Sequence, residues 1–207
     1  MIFDWDGTVA DSTAGIVEAL QHAARGAGLD ELPTARLRAV IGLGLAEAVR
    51  SLHPHASQAQ AQAMAAGYRT YYRTVAARGT RLFPGARELL DDLGARGLSL
   101  AVATGKSRNG LLGALRDTRL ESRFAALRTA DDCPSKPHPA MVLELLDELG
   151  CLPGRALMIG DSEYDLAMAR AAGVRSVAVG AEVELIDGCV GRIDTVAALP
   201  ALLEAAA

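Results

Sequence analysis

The chain has 207 residues, half of them hydrophobic but only 4% aromatic, and a net charge of −4. That length suits one or two domains around a core mostly of Ala, Leu and Val, and the lack of a basic stripe argues against nucleic acid as the main partner. No apolar run approaches the ~20 residues that cross a membrane, and the scattered Cys133, Cys151 and Cys189 match no metal spacing, so they read as reduced thiols.

The expectation is a soluble, cytoplasmic protein whose chain opens directly into a strand rather than a leader. That strand is Met1 to Phe3, ending in Asp4-Trp5-Asp6-Gly7-Thr8. In an extended chain residues two apart face the same way, so Asp4 and Asp6 can converge on one point. Two such carboxylates repel unless a cation or a shared proton intervenes. Gly7 permits a sharp turn whose amides can face an anion. The pattern fits a metal-and-phosphate site; the alternative is a surface turn with both aspartates solvated.

From Ser12 the apolar spacing becomes helical, with Ile16, Ala19, Leu20 and Ala23 three and four apart, and stops at Gly26 and Gly28. Pro33-Thr34 opens a short helix, glycines punctuate Ile41 to Leu45, and helix formers dominate Leu45 to Leu52 and Ser57 to Ala77, separated by the loop His53-Pro54-His55. Residues 12–83 therefore read as all-helical. After Phe83-Pro84-Gly85, helices over Ala86–Ala95, Asn109–Arg116, Pro139–Leu149, Leu166–Ala172 and Val196–Ala205 alternate with strands. The strands fall at Leu98–Ala103, Ala125–Thr129, Ala156–Ile159 and Ser176–Val179. Such alternation implies an α/β fold with a Rossmann-like parallel sheet covered on both faces. Ligands of such sheets bind beyond the carboxyl ends of the strands. That rule gathers Asp4 and Asp6, Thr104, and Asp161 into one candidate site.

Asp161 and Asp165 lie four apart, and share a helix face if the helix begins at Ser162. With Asp4 and Asp6 they make an all-oxygen donor set suited to a hard cation, Mg²⁺ being usual where phosphate is the substrate. Helix capping and first-turn charge are the alternative for this pair. Thr104-Gly105 offers a hydroxyl and an accessible amide to a phosphate oxygen. Lys136 stands before a helix begun by prolines, where a fixed charge and helix amides act together. It and Lys106 are the chain's only lysines, which weighs against an ordinary exposed role. Gly105-Lys106-Ser107 ends like a phosphate-binding Walker loop but lacks its first glycine, and Gly42-x-Gly44 lacks the third glycine of a dinucleotide fingerprint. His53 and His55 have no flanking ligands and make a weak metal pair.

Together, Asp4-x-Asp6-Gly7-Thr8, the strand ending in Thr104, Lys136 before a proline, and Gly160-Asp161-x-x-x-Asp165 resemble, in order, the motifs of the haloacid dehalogenase (HAD) superfamily. The helical insertion resembles the α-helical cap of its phosphoglycolate phosphatase-like branch. The resemblance implies a core of residues 1–11 and 84–207 and a cap of residues 12–83. It implies that Asp4 attacks phosphorus and that Asp6 acts as general acid and base. Mg²⁺ would be held by Asp4, the main-chain carbonyl of Asp6, and Asp161, with Asp165 acting directly behind them or through water. Thr104, Gly105 and Lys136 would bind the phosphoryl group.

The implied function is a Mg²⁺-dependent phosphatase for a small phosphorylated metabolite such as 2-phosphoglycolate, working as a monomer or homodimer. Asp6 argues against dehalogenases and phosphonatases, which replace that acid. A sugar phosphomutase resembling β-phosphoglucomutase, or a catalytically silent phospho-ligand binding protein, is the alternative. Two departures from the family pattern are a short first strand and the absence of a longer polar loop after Val179. Gly42 to Leu45 resembles the loop that such caps lower over the site. Arg38, Arg50, Arg69 and Arg73 are candidates to meet an anionic leaving group, or else solvated helix residues, and Tyr68, Tyr71 and Tyr72 read as cap packing.

Overall fold

Parallel strands aligned in register put every strand end at one edge, and that arrangement decides where the site falls. The computed structural model describes residues 1–181 and 183–205; Glu182, Ala206 and Ala207 lie outside the described residues. Its strands are β1 (Ile2–Phe3), β2 (Ala101–Ala103), β3 (Ala126–Arg128), β4 (Leu157–Gly160), β5 (Arg175–Val179) and β6 (Cys189–Ile193). They form one six-stranded sheet in the order β3-β2-β1-β4-β5-β6, and every pairing is parallel. Ile2 lies opposite both Ala101 and Met158, so the ends of the three central strands coincide.

The helices are α1 (Thr13–Gly26), α2 (Thr34–Arg38), α3 (Leu45–Leu52), α4 (Gln58–Ala76), α5 (Ala86–Ala95), α6 (Arg108–Thr118), α7 (Ala140–Glu148), α8 (Glu163–Ala171) and α9 (Leu199–Ala205). Alternation along each strand divides the core in two. Phe3, Val102, Leu157, Ile159 and Val177 pack with Leu89, Leu90 and Leu93 of α5, Leu111 and Leu115 of α6, and Leu199 of α9. Ile2, Ala101, Ala103 and Met158 pack instead with Met141, Val142 and Leu145 of α7 and Met168 of α8. Both faces of the sheet are covered, which explains why the central strands β1, β2 and β4 read as unbroken apolar runs. Burying each of these larger side chains stabilises the fold by about 1.5–3 kcal/mol. Helices α1 to α4 build a separate buried cluster from Ile16, Leu20, Leu37, Val49, Leu52 and Met64.

Local chemistry sets several helix starts. The Ser57 hydroxyl accepts from the amide of Gln60 in a reciprocal capping box, and the Ser107 hydroxyl accepts from the amide of Gly110. Each such cap contributes about 1 kcal/mol.

Three expectations need correction. The strand expected over Leu98–Ala103 pairs only from Ala101, because Leu98 stays exposed before the chain enters the sheet. The segment after Val179 contains β6, an edge strand whose Gly191 and exposed Arg192 mask its signal. The last helix begins as a tighter three-residue turn, Val196–Ala198, before α9. None of the described helices is long and apolar enough to cross a membrane.

Candidate active site

The first loop owes its shape to Trp5. Its indole is fully buried on the α5–α6 side of the sheet, edge-on to Phe124 at 6.3 Å between ring centroids. Anchored there, Trp5 donates its amide to Asp4 Oδ1 at 2.7 Å and accepts at its carbonyl from the amides of Val9 and Ala10. The chain therefore turns immediately after β1, with Gly7 at φ +89°. This separates the two aspartates from the shared target that a continued strand gives them. Asp4 faces Lys136, while the Asp6 carboxylate accepts from Ser12 Oγ at 2.6 Å and from Lys106 Nζ at 3.0 and 3.1 Å. The Gly7 amide is also committed, to the carbonyl of Ala10 at 2.9 Å, so it does not face an anion.

Asp161 leaves the end of β4, and Ser162 then caps α8. The helix begins at Glu163, so Asp161 stands outside it and does not share a helix face with Asp165. Asp165 occupies the third position of the helix, where its carboxylate accepts from the Ser162 hydroxyl at 2.6 Å. The capping alternative thus describes one of its oxygens. The other accepts from Lys136 Nζ at 2.6 Å, while the same ammonium lies 2.9 Å from Asp4 Oδ1. Lys136 comes from the loop before α7 and is wholly buried. Thr8, in the first loop, donates its hydroxyl to Asp161 Oδ1 at 2.8 Å and ties the two acidic loops together.

Carboxylate oxygens of Asp4, Asp161 and Asp165 lie within 4.8 Å of one another. Burial pushes the Asp4 carboxyl well above the usual range; Lys136 opposes this, and Asp165 and Asp161 add to it. Burial and then the Asp165 charge push Asp161 up to about 7, against the Thr8 hydrogen bond. Burial lowers the Lys136 ammonium, but Asp165 and Asp4 outweigh it and hold the group above its ordinary value. Asp4 Oδ2 is buried and, among the described residues, accepts no hydrogen bond. Fully ionised, three acids against one ammonium would carry an excess of two negative charges in an all-oxygen cluster, and the raised Asp4 and Asp161 carboxyls express burial together with that repulsion. A hard divalent cation fits that donor set.

At the end of β2, buried Thr104 accepts at Oγ1 from the amide of Lys106 at 3.2 Å. Gly105 lies directly against the chain between α2 and α3: a Cβ there would meet the carbonyl oxygens of Gly42 and Leu43. That segment is held by Ser135 Oγ, which accepts from the Gly44 amide at 2.8 Å, and by Tyr164, whose hydroxyl donates to the carbonyl of Ala39 at 3.2 Å. Asp4, Asp161, Asp165, Lys136, Thr104 and Gly105 therefore meet at one sheet edge, with Asp6 turned toward the helical layer.

Beyond the scarcity of lysine and the tail of a failed Walker loop, nothing in the sequence marks Lys106 as a site residue. Its ammonium joins Asp6 to the hydroxyl of Tyr72 on α4 at 3.0 Å. Burial lowers this ammonium, but Asp6 and the two tyrosines Tyr72 and Tyr68 more than reverse that and raise it. Tyr72 is thus more than packing, whereas Tyr71 stacks on His22 and donates to Glu18. Arg38, Arg50, Arg69 and Arg73 are all exposed, and Arg50 pairs with Glu47.

The chain is similar to several known proteins. A phosphoglycolate phosphatase from Rhodospirillum rubrum is 33% identical over 183 residues, spanning 84% of this chain and 76% of that protein. A 5′-nucleotidase from Pseudomonas aeruginosa is 32% identical over 181 residues, spanning 87% and 81%. The crystal structure of a β-phosphoglucomutase from Clostridium difficile superposes with a TM-score of 0.86 over 98% of this chain and 94% of that one; at 22% identity this is a likeness of fold. Residues 1–179 match the sequence profile of the haloacid dehalogenase-like hydrolases. With that match over most of its length, and the strand-end acids gathered at one edge of the sheet, the chain belongs to the haloacid dehalogenase-like hydrolase family.

Proposed function

We propose that this chain is a Mg²⁺-dependent phosphatase acting on a small phosphorylated metabolite such as 2-phosphoglycolate, through an aspartyl-phosphate on Asp4. The observation that carries the reading is the state of Asp4: one carboxylate oxygen is held by Trp5 and Lys136, and the other is buried with no hydrogen-bond partner among the described residues. Held on one side in this way, Asp4 is fixed in position, and its unpartnered oxygen is left for a cation or for phosphorus.

A carboxylate oxygen of Asp4 attacks phosphorus, and Asp6 delivers a proton to the departing ester oxygen. Asp6 then takes a proton from the water that cleaves the acyl phosphate. Lys136 offsets the charge of a carboxylate approaching an anion, and the Thr104 hydroxyl and Gly105 amide hold phosphoryl oxygens as charge spreads over them. Asp4, Asp161, Asp165 and the carbonyl of Asp6 would hold Mg²⁺, which when bound supplies positive charge against the phosphoryl oxygens. Residues 12–83 act as a cap on the core of residues 1–11 and 84–207, excluding water and choosing the leaving group. The phosphoglycolate phosphatases among the relatives support the substrate named.

The test is phosphate release from a panel of phosphomonoesters, with Mg²⁺ and with EDTA. Metal-dependent release, fastest from 2-phosphoglycolate, is expected. Interconversion of sugar phosphates without net release would replace this reading with a phosphomutase.

A further inference from the structure

Resting on that reading, we propose that Lys106 and Tyr72 form a subsite selecting esters whose leaving group carries a carboxylate. Asp6 must reach the oxygen that departs, so whatever bears that oxygen lies beside Asp6, and Lys106 already occupies that place. The Lys106 ammonium lies 3.0 and 3.1 Å from the two Asp6 oxygens and 3.0 Å from the Tyr72 hydroxyl. Its side chain is 9% exposed, so water does little to support the charge. Tyr72 adds its ring, 4.7 Å from the ammonium, and Tyr68 stacks on Tyr72 at 5.4 Å to form a wall on the α4 side.

The consequence follows from charge. In this arrangement the anion paired with Lys106 is Asp6 itself. When Asp6 turns to the departing oxygen, the ammonium must find another anion, and the leaving group is what lies within reach. A carboxylate there takes over the place of the Asp6 carboxylate; a neutral hydroxymethyl group leaves a buried ammonium unpaired. A site built around a buried charge discriminates strongly against a ligand that fails to pair with it. The exposed cap arginines lie on the solvent side and do not substitute for Lys106.

The experiment compares 2-phosphoglycolate with 2-hydroxyethyl phosphate, a close match in size whose carboxylate is replaced by CH₂OH, on the Mg²⁺-loaded full chain. The wild type should favour the carboxylate ester in kcat/KM by roughly 100-fold. Lys106→Met should bring that ratio to within about tenfold, chiefly by raising KM for 2-phosphoglycolate, and Tyr72→Phe should lower it by about threefold. Should Lys106→Met not fold, the wild-type ratio and Tyr72→Phe still decide. Equal use of both esters by the wild type overturns the proposal, as does a Lys106→Met that slows both by one factor, since Lys106 would then serve Asp6 alone. Either result leaves the phosphatase reading standing. Turnover of no phosphomonoester removes that reading and this inference with it.

Discussion

Lys136 and Asp4 form an ion pair at 2.9 Å in which the lysine side chain is wholly buried and the aspartate is 1% exposed. Among the described residues the lysine is also the only ammonium against Asp165, so replacing it strips two buried carboxylates of their counter-charge at once. Breaking a buried pair from one side costs about 3–5 kcal/mol. Lys136→Met should lower the urea midpoint by a corresponding amount and abolish phosphate release. Lys136→Arg should restore neither, because the larger planar guanidinium has no space in a sealed slot. A variant of full stability would contradict the charge balance described for the cluster.

Gly105 makes a second prediction, on the segment between α2 and α3 that packs against it. A Cβ at this position would lie 2.5 Å from the carbonyl oxygen of Leu43, and closer still to that of Gly42, and both obstacles are backbone. In Gly105→Ala the segment has to lift, stretching the bond between Gly44 and Ser135. KM should rise by roughly tenfold or more while the melting temperature stays near that of the wild type. Gly113, in the middle of α6, is the control, because a Cβ added there would have open space for 4 Å around it. Gly113→Ala should leave the kinetics alone and stabilise the fold by about 0.5–1 kcal/mol. Steady-state kinetics with thermal melts of both variants check the pair.

Removing metal should be felt in stability as well as turnover. Asp4, Asp161 and Asp165 repel one another, and a cation bound among them favours only the folded chain. Saturating Mg²⁺ should raise the melting temperature, with a concentration dependence following simple mass action at about 2.7 kcal/mol for 100 times Kd. Asp161→Asn should flatten that dependence by weakening the site. An EDTA-treated protein whose melt ignores Mg²⁺ would argue against a site here.

The cysteines offer a test outside the site. All three are unpaired; Cys133 is buried, while Cys151 and Cys189 are partly exposed. Burial and the neighbouring Glu144 carboxylate push the Cys133 thiol up to about 11. Below that value its thiolate fraction grows about tenfold per pH unit, so at pH 8 only about 0.1% is reactive. Maleimide labelling followed by peptide mass spectrometry should find Cys151 modified well before Cys133 at pH 8, with Cys133 gaining steeply toward pH 10.

The sequence was most legible where one residue type had one use. Continuous apolar runs ending in Asp4, Thr104 and Asp161 read as strands of a two-faced sheet, and their shared edge follows from parallel topology. Legibility failed where the outcome depended on docking. Tyr68, Tyr71 and Tyr72 all sit on one helical stretch, and only the approach of α4 to the end of β2 makes Tyr72 a partner of Lys106 while Tyr71 turns to Glu18. Asp4 and Asp6 looked alike under the rule of two, until the buried indole of Trp5 turned the chain between them. Strand β6 was hidden because an edge strand needs little hydrophobicity, and Arg192 lies outward along it.

The most direct measurement of the central claim is acid-quenched peptide mass spectrometry on Asp6→Asn mixed with 4-nitrophenyl phosphate and Mg²⁺, because 4-nitrophenolate departs without the proton that Asp6 otherwise delivers. Without the Asp6 base, breakdown of the intermediate should slow by about 10²- to 10⁴-fold. The account predicts one phosphoryl group on Asp4, and neither phosphorylation nor release when Asp4→Asn is combined with an intact Asp6. Phosphate release that continues in Asp4→Asn, with no phosphoryl group ever found on Asp4, would contradict it.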